Sequence, residues 1–101
     1  MAAEPIIITV ERDLEDLIPL FMAQRQAEQA AIADALLSRN FEALRKIGHN
    51  MNGAGASYGF DRISELGERL NQAARAGDVT AIGEIRQAFD DYMARLVVKY
   101  M

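Results

Sequence analysis

The sequence predicts an all-α fold: an antiparallel up-down four-helix bundle with a short extra N-terminal helix or kinked segment. Three observations carry this expectation. Apolar residues recur at helical i, i+3, i+4, i+7 spacing through successive stretches. Short breaks with helix-capping chemistry separate those stretches. No stretch alternates as a half-buried strand would. With 101 residues, 50% hydrophobic and 26% charged, the chain suits a single folded domain.

Residues 1–12 are expected to form an extended arm, because Pro5 disfavours a regular start and β-branched Ile6, Ile7, Ile8 and Val10 favour extension. Its expected role is an apolar strap across the bundle, the alternative being a partner-binding arm. The bundle spans residues 13–101. Asp13 is placed to cap a helix opening Leu14-Glu15-Asp16, whose acids suit the N-terminal dipole. Pro19 then requires either a kink or the start of a new helix. Leu14, Leu17, Ile18 and Phe21 resume at Ile32, Ala35 and Leu36, so one apolar face runs through both pieces. Gln24, Arg25 and Glu28 interrupt that face, as a surface turn or as polar groups near the rim of the site described below.

Ser38-Arg39-Asn40 is a short break, with Asn40 as N-cap of a helix beginning near Phe41. Gly59 is suited to close that helix in a left-handed conformation, and Asp61 to cap the next. Ile63, Leu66, Leu70, Ala73 and Ala74 give the third helix its buried face. Gly77-Asp78 stops it and starts the fourth, which carries Val79, Ile82, Ile85, Phe89, Tyr92, Met93, Leu96 and Val97 to the C-terminus.

Composition removes several function classes. A formal net charge of -4 argues against wholesale binding to nucleic acid or acidic membranes. The absence of cysteine excludes disulfide and thiolate-metal schemes. The apolar run Ile6 to Ile8, like every other unbroken apolar run in the chain, is far too short to span a bilayer, and the N-terminus lacks a signal-peptide pattern. A soluble, cytoplasmic domain is expected.

The informative stretch is Ile47 to Phe60, which holds the only histidine and four of the seven glycines. At roughly 100° per residue, Leu44, Ile47, Met51 and Tyr58 share the buried stripe, with Gly48 and Gly55 on that side. His49 falls nearly opposite, among Glu42, Arg45, Asn52, Gly53 and Ala56, and so points to water. Each glycine inside a helix costs about 1 kcal/mol relative to alanine. Gly48 and Gly55 are accounted for if a neighbouring helix approaches closely. Gly53 is not, since it lies on the exposed side one turn beyond His49; a bare backbone there suits the close approach of another molecule. Arg45 and Lys46 place cationic groups near the imidazole, which suits an anion.

A zinc site needs three or four His, Cys or carboxylate ligands, and the helical neighbours of His49 are Arg45, Lys46, Asn52 and Gly53. A hydrolytic triad has no better support, because Ser57 lies eight residues on with no second histidine. Nucleophilic use of the imidazole remains. Histidine ordinarily titrates at about pH 6.5, so near neutrality one ring nitrogen carries a free lone pair. It can then form a covalent intermediate with an electrophile. Phosphoryl transfer asks mainly for position and charge stabilisation.

The run His49-Asn50-Met51-Asn52-Gly53-Ala54-Gly55-Ala56-Ser57-Tyr58-Gly59 resembles the signature of histidine-containing phosphotransfer (HPt) domains: histidine, a spacer, an apolar residue, usually lysine, glycine, then small residues to a second glycine. Phe41 to Ile47 upstream, and Ile63, Leu66, Leu70 and the Ala73-Ala74-Arg75-Ala76-Gly77-Asp78 ending downstream, are similar to the family as well. The resemblance covers roughly Asp13 to Tyr100. It implies a phosphorelay intermediate in which His49 accepts a phosphoryl group from a receiver-domain aspartate or a histidine-kinase pathway and passes it on. Gly53 would be the clearance for the receiver's loops. Asn71 aligns with an amide-bearing residue that hydrogen-bonds the imidazole, and Arg75 with a basic residue used near the phosphate or partner; a solvated polar face is the alternative for both.

The implied partners are receiver domains or a hybrid histidine kinase. Magnesium belongs to the receiver and no cofactor to this chain, which has no glycine-rich nucleotide loop. A monomer is expected, without nucleic-acid or membrane partners. One departure from the family pattern is Asn52, which stands where lysine is usual. It brings a hydrogen-bond donor but no charge, for which Arg45 or Arg75 would have to compensate. Transfer would then be slower, or the domain would dock receivers as a non-catalytic adaptor.

Overall fold

A computed structural model describes residues 4–101 of the chain. The first three residues of the expected arm lie outside the described residues. In chain order the elements are β1 (Ile6–Val10), a 3-10 segment (Arg12–Leu17), α1 (Ile18–Leu37), α2 (Phe41–Tyr58), α3 (Asp61–Ala76), α4 (Val79–Arg95) and β2 (Leu96–Tyr100). Four helices surround one core, whose largest fully buried side chains include Phe60, Phe89, Leu44, Met51, Ile63, Leu66 and Leu70. Among the described residues no helix is long and apolar enough to cross a membrane.

The helix boundaries follow local chemistry in most places. Asn40 Oδ1 accepts from the Ala43 amide at 3.1 Å and starts α2. Gly59, at φ 82°, ends it in the left-handed region. Gly77 does the same for α3 at φ 64°, and Asp78 then caps α4 through the Ala81 amide at 3.1 Å. Pro19 occupies the first turn of α1, where its missing N–H costs nothing. The proline therefore starts a helix.

Two expected caps are corrected. Asp13 does not cap a helix: the 3-10 segment begins after Glu11 without a side-chain cap. Asp61 lies in the first turn of α3, where Phe60 occupies the cap position and supplies its backbone carbonyl to the Ser64 amide. The Asp61 charge still faces the favourable end of the helix dipole.

The chain also contains strands, which the sequence reading excluded. β1 and β2 form a parallel two-stranded sheet with Ile6 opposite Leu96 and Val10 opposite Tyr100. The arm is extended, as expected, but it pairs with the C-terminal segment. The final helix accordingly stops at Arg95, not at the end of the chain. Val97, Val98 and Tyr100 favour extension, and β1 supplies hydrogen-bonding partners that a frayed last turn would lack. Ile6, Ile8, Val10, Leu96, Val98 and Tyr100 pack against the core, while Ile7, Thr9, Val97 and Lys99 face outward.

The apolar face running through the 3-10 segment and α1 departs from expectation at two places. Leu17 is exposed although it was assigned to the apolar stripe. Arg25, assigned to a surface interruption, is only 4% exposed. Its guanidinium sits 4.7 Å from the centroid of the Phe21 ring and donates to Glu28 through Nε at 2.6 Å and Nη2 at 3.1 Å. Phe21 in turn stacks on Phe60 at 4.7 Å and meets Tyr58 at 4.9 Å. Burial raises the Glu28 pKa despite the Arg25 hydrogen bond.

Candidate functional site

The wall that carries His49 is built by two helices whose backbones touch. A Cβ on Gly48 would lie 2.6 Å from both the Asn71 amide nitrogen and the Gly67 carbonyl oxygen. On Gly55 it would lie 2.5 Å from the Ser64 nitrogen. Gly67 reciprocates from α3, where a Cβ would fall 2.5 Å from the Asn52 nitrogen and 2.6 Å from the Gly48 oxygen. The expectation for Gly48 and Gly55 is thus met by contact between main chains, and Gly67 is a third participant that sequence spacing did not single out. This contact fixes the height and rotation of α2 beside α3, and with them the direction of the imidazole.

His49 is exposed on α2, as its helical angle requires. Gly53, one turn further, is also exposed, and a Cβ there would meet no heavy atom within 4 Å. Ala56 continues the same exposed strip. These three exposed positions form a lane along the helix that is open over Gly53. Ser57 does not enter the lane as a nucleophile: its hydroxyl donates back to the Gly53 carbonyl at 2.9 Å.

Cations stand at one end of the lane. Arg45 Nη2 is 2.8 Å from Glu42 Oε1, and Lys46 Nζ is 3.9 Å from the same oxygen. The Arg45 hydrogen bond and charge hold the Glu42 carboxyl below its ordinary pKa, with a smaller contribution from Lys46. Exposed pairs of this kind are weak and screened by salt, so both cations can turn to an arriving anion at little cost.

The α3 flank is organised by hydrogen bonds. Asn71 is half-buried, and its Oδ1 accepts from Arg75 Nε at 2.8 Å. Asn71 and Arg75 therefore act as one unit beside Gly48, next to His49 in the chain. Asn52 is tied to α3 at both ends of its amide. Its Oδ1 accepts from Ser64 Oγ at 2.5 Å, and its Nδ2 donates to Glu68 Oε2 at 3.2 Å. Glu68 Oε1 in turn accepts from Gln72 Nε2 at 3.0 Å.

Ser64, Glu68 and Gln72 were not among the sequence-derived site residues. Their i, i+4, i+8 spacing marks one polar flank of α3, which was the available signal. Nothing local to Asn52, however, shows that it reaches across to them. Among the described residues no cluster of three or more His, Cys, Asp or Glu side chains is arranged to hold a metal ion.

Comparison with known proteins bears on this arrangement at the family level. The family model described as Hpt domain matches residues 14–98, which include all four helices and the whole His49 wall. Neither the comparison with curated proteins nor that with solved structures gives a match. An exposed histidine on a helix wall, with glycine one turn along, is the arrangement that the matched stretch contains, and the chain belongs to the Hpt domain family, the histidine phosphotransfer domains of phosphorelays.

Proposed function

We propose that this chain relays a phosphoryl group between receiver-domain aspartates, or from a hybrid histidine kinase to a receiver, with His49 as the phosphoacceptor. The observation that carries the reading is the exposed imidazole with open space over Gly53. One ring nitrogen attacks the phosphorus of the aspartyl phosphate. The N–P bond forms, the P–O bond breaks, the receiver recovers its carboxylate, and the other ring nitrogen keeps its proton. Onward transfer is the reverse reaction with a second receiver. The receiver supplies the magnesium ion, and this chain supplies position and charge.

Arg45, Lys46 and the Asn71–Arg75 unit are the groups we assign to the phosphoryl oxygens and the partner surface. The short α2–α3 and α3–α4 connections support an up-down antiparallel order for the bundle. We take the domain to work as a cytoplasmic monomer, with residues 13–101 as the relay bundle and residues 1–12 as the arm.

A second reading has a specific observation behind it. Asn52 stands where lysine is usual in the family, and its amide is engaged by Ser64 and Glu68. A domain with that donor withdrawn would dock receivers without transferring phosphate. Incubation with a phosphorylated receiver separates the two. Acid-labile, alkali-stable label on the wild type and none on His49→Gln supports relay; no label on either protein, with receiver binding retained, supports docking alone.

A further inference from the structure

We infer that Glu68 is a positioning residue that shifts the phosphotransfer equilibrium away from phosphorylated His49 and towards the receiver. The inference rests on the relay reading and deepens it. Its basis is the Asn52–Glu68–Gln72 chain of contacts beside the histidine, together with the absence of a cation from that chain.

Two other acidic side chains of α2 and α3 are ion-paired. Glu42 faces Arg45 and Lys46, and Glu65 faces Arg62 and Arg69. Glu68 differs: among the described residues its two oxygens are met by the amides of Asn52 and Gln72, with no Lys or Arg within ion-pair distance. Its negative charge is therefore oriented but not neutralised.

The location gives that charge an effect. Asn52 follows His49 by three positions, which makes the two neighbours on one helix surface. Glu68 lies 3.2 Å from the Asn52 amide. A phosphoryl group on the imidazole would then stand within about 10 Å of the Glu68 carboxylate, comparable to the Debye length at 0.1 M salt. Like charges at that range disfavour the phosphorylated state.

The second effect runs through Asn52. Its planar amide is held by Ser64 at one end and Glu68 at the other, so it cannot turn towards a new acceptor without breaking both bonds. Glu68 thus repels the phosphoryl group and also withholds a donor from it. Both effects favour a short-lived phosphohistidine that returns its phosphoryl group readily to an aspartate. In each direction the reaction exchanges one N–P bond for one P–O bond, with the receiver's carboxylate as the co-reactant.

The test measures the equilibrium distribution of phosphoryl group between a phosphorylated receiver and this protein, read by phosphorus NMR at low ionic strength. Glu68→Gln removes the charge, and Glu68→Ala also frees the Asn52 amide; the position is exposed, and both residues suit a helix. The equilibrium constant for His49 phosphorylation is expected to rise about three- to tenfold, more for alanine than for glutamine. The Glu68→Gln gain should shrink in 1 M salt, where the Debye length is about 3 Å; a purely structural role would not respond in that way. Glu65→Gln, which lies on the same helix and is already paired, should leave the constant unchanged. An unchanged constant in both Glu68 variants, or an equal rise in Glu65→Gln, overturns the inference. Failure of wild-type His49 to take up phosphate would instead overturn the relay reading beneath it, a result visible before any variant is made.

Discussion

Replacing Gly53 with alanine should stabilise the protein, and replacing it with leucine should impair its exchange with receivers. A Cβ at this position meets no heavy atom within 4 Å, and the backbone is already helical. Alanine should therefore deliver the full difference in helix propensity, about 0.8–1.0 kcal/mol. In a domain of this size that corresponds to a rise in Tm of about 4–8 °C. Gly83, in α4, has the same open surroundings, so Gly83→Ala serves as an internal standard with a similar gain and unchanged transfer. Leucine at position 53 should keep most of the stability gain while placing a branched side chain one turn from His49. Since small misplacements of reacting groups can cost about 100-fold in rate, transfer from a phosphorylated receiver should fall by about 10- to 100-fold. Thermal unfolding followed by circular dichroism and single-turnover transfer kinetics measure the two effects. A lower Tm for Gly53→Ala would show that the position is not open. Wild-type transfer by Gly53→Leu would remove the functional reason for a glycine there.

Gly67→Ala should do the opposite of Gly53→Ala, losing about 1–3 kcal/mol in urea denaturation, because its Cβ would meet backbone atoms of Asn52 and Gly48 that cannot turn away. Tyr92→Phe should be neutral or stabilising by up to about 1 kcal/mol, since the buried Tyr92 hydroxyl has no hydrogen-bond partner. Burial, and then the Asp61 charge, raise the Tyr92 pKa, so the variant should also lose less stability than wild type above pH 10. Arg25→Met should cost about 2–4 kcal/mol at neutral pH by leaving Glu28 without its partner, and much of that loss should return in Arg25→Met/Glu28→Leu. The Glu28 pKa lies above its ordinary value in the folded state, so the folded form holds the extra proton. Stability from this group is present below the ordinary value and declines as pH rises through the raised one. Melting curves from pH 3 to pH 8 should show Glu28→Gln lacking that decline.

Where local chemistry decides the structure, the sequence could be read directly. Asn40, Gly59, Gly77 and Asp78 each act within a few residues of themselves, and the helix ends fall where those residues stand. The exposure of His49 followed from helical angle alone. The strands were hidden because Ile7 and Val97 face outward yet are apolar, which erased the alternation that marks a half-buried strand. Arg25 was misplaced because its burial depends on the Phe21 ring and on Glu28 supplying the counter-charge, an arrangement that hydropathy does not encode. Asn52 read as a free polar residue on the histidine face because its partners, Ser64 and Glu68, belong to a different helix.

The pairing of β1 with β2 joins segments about 90 positions apart. Arg95 donates to the Glu4 carbonyl, Arg12 to that of Met101, and the Met101 amide to the Val10 carbonyl, so the junction is fastened at both ends. Neither strand has another ladder partner among the described residues, so each loses its inter-strand hydrogen bonds when the other is removed. Truncating one should free the other to fray while the helices stay assembled. A label or fusion attached at either terminus would then report on both at once.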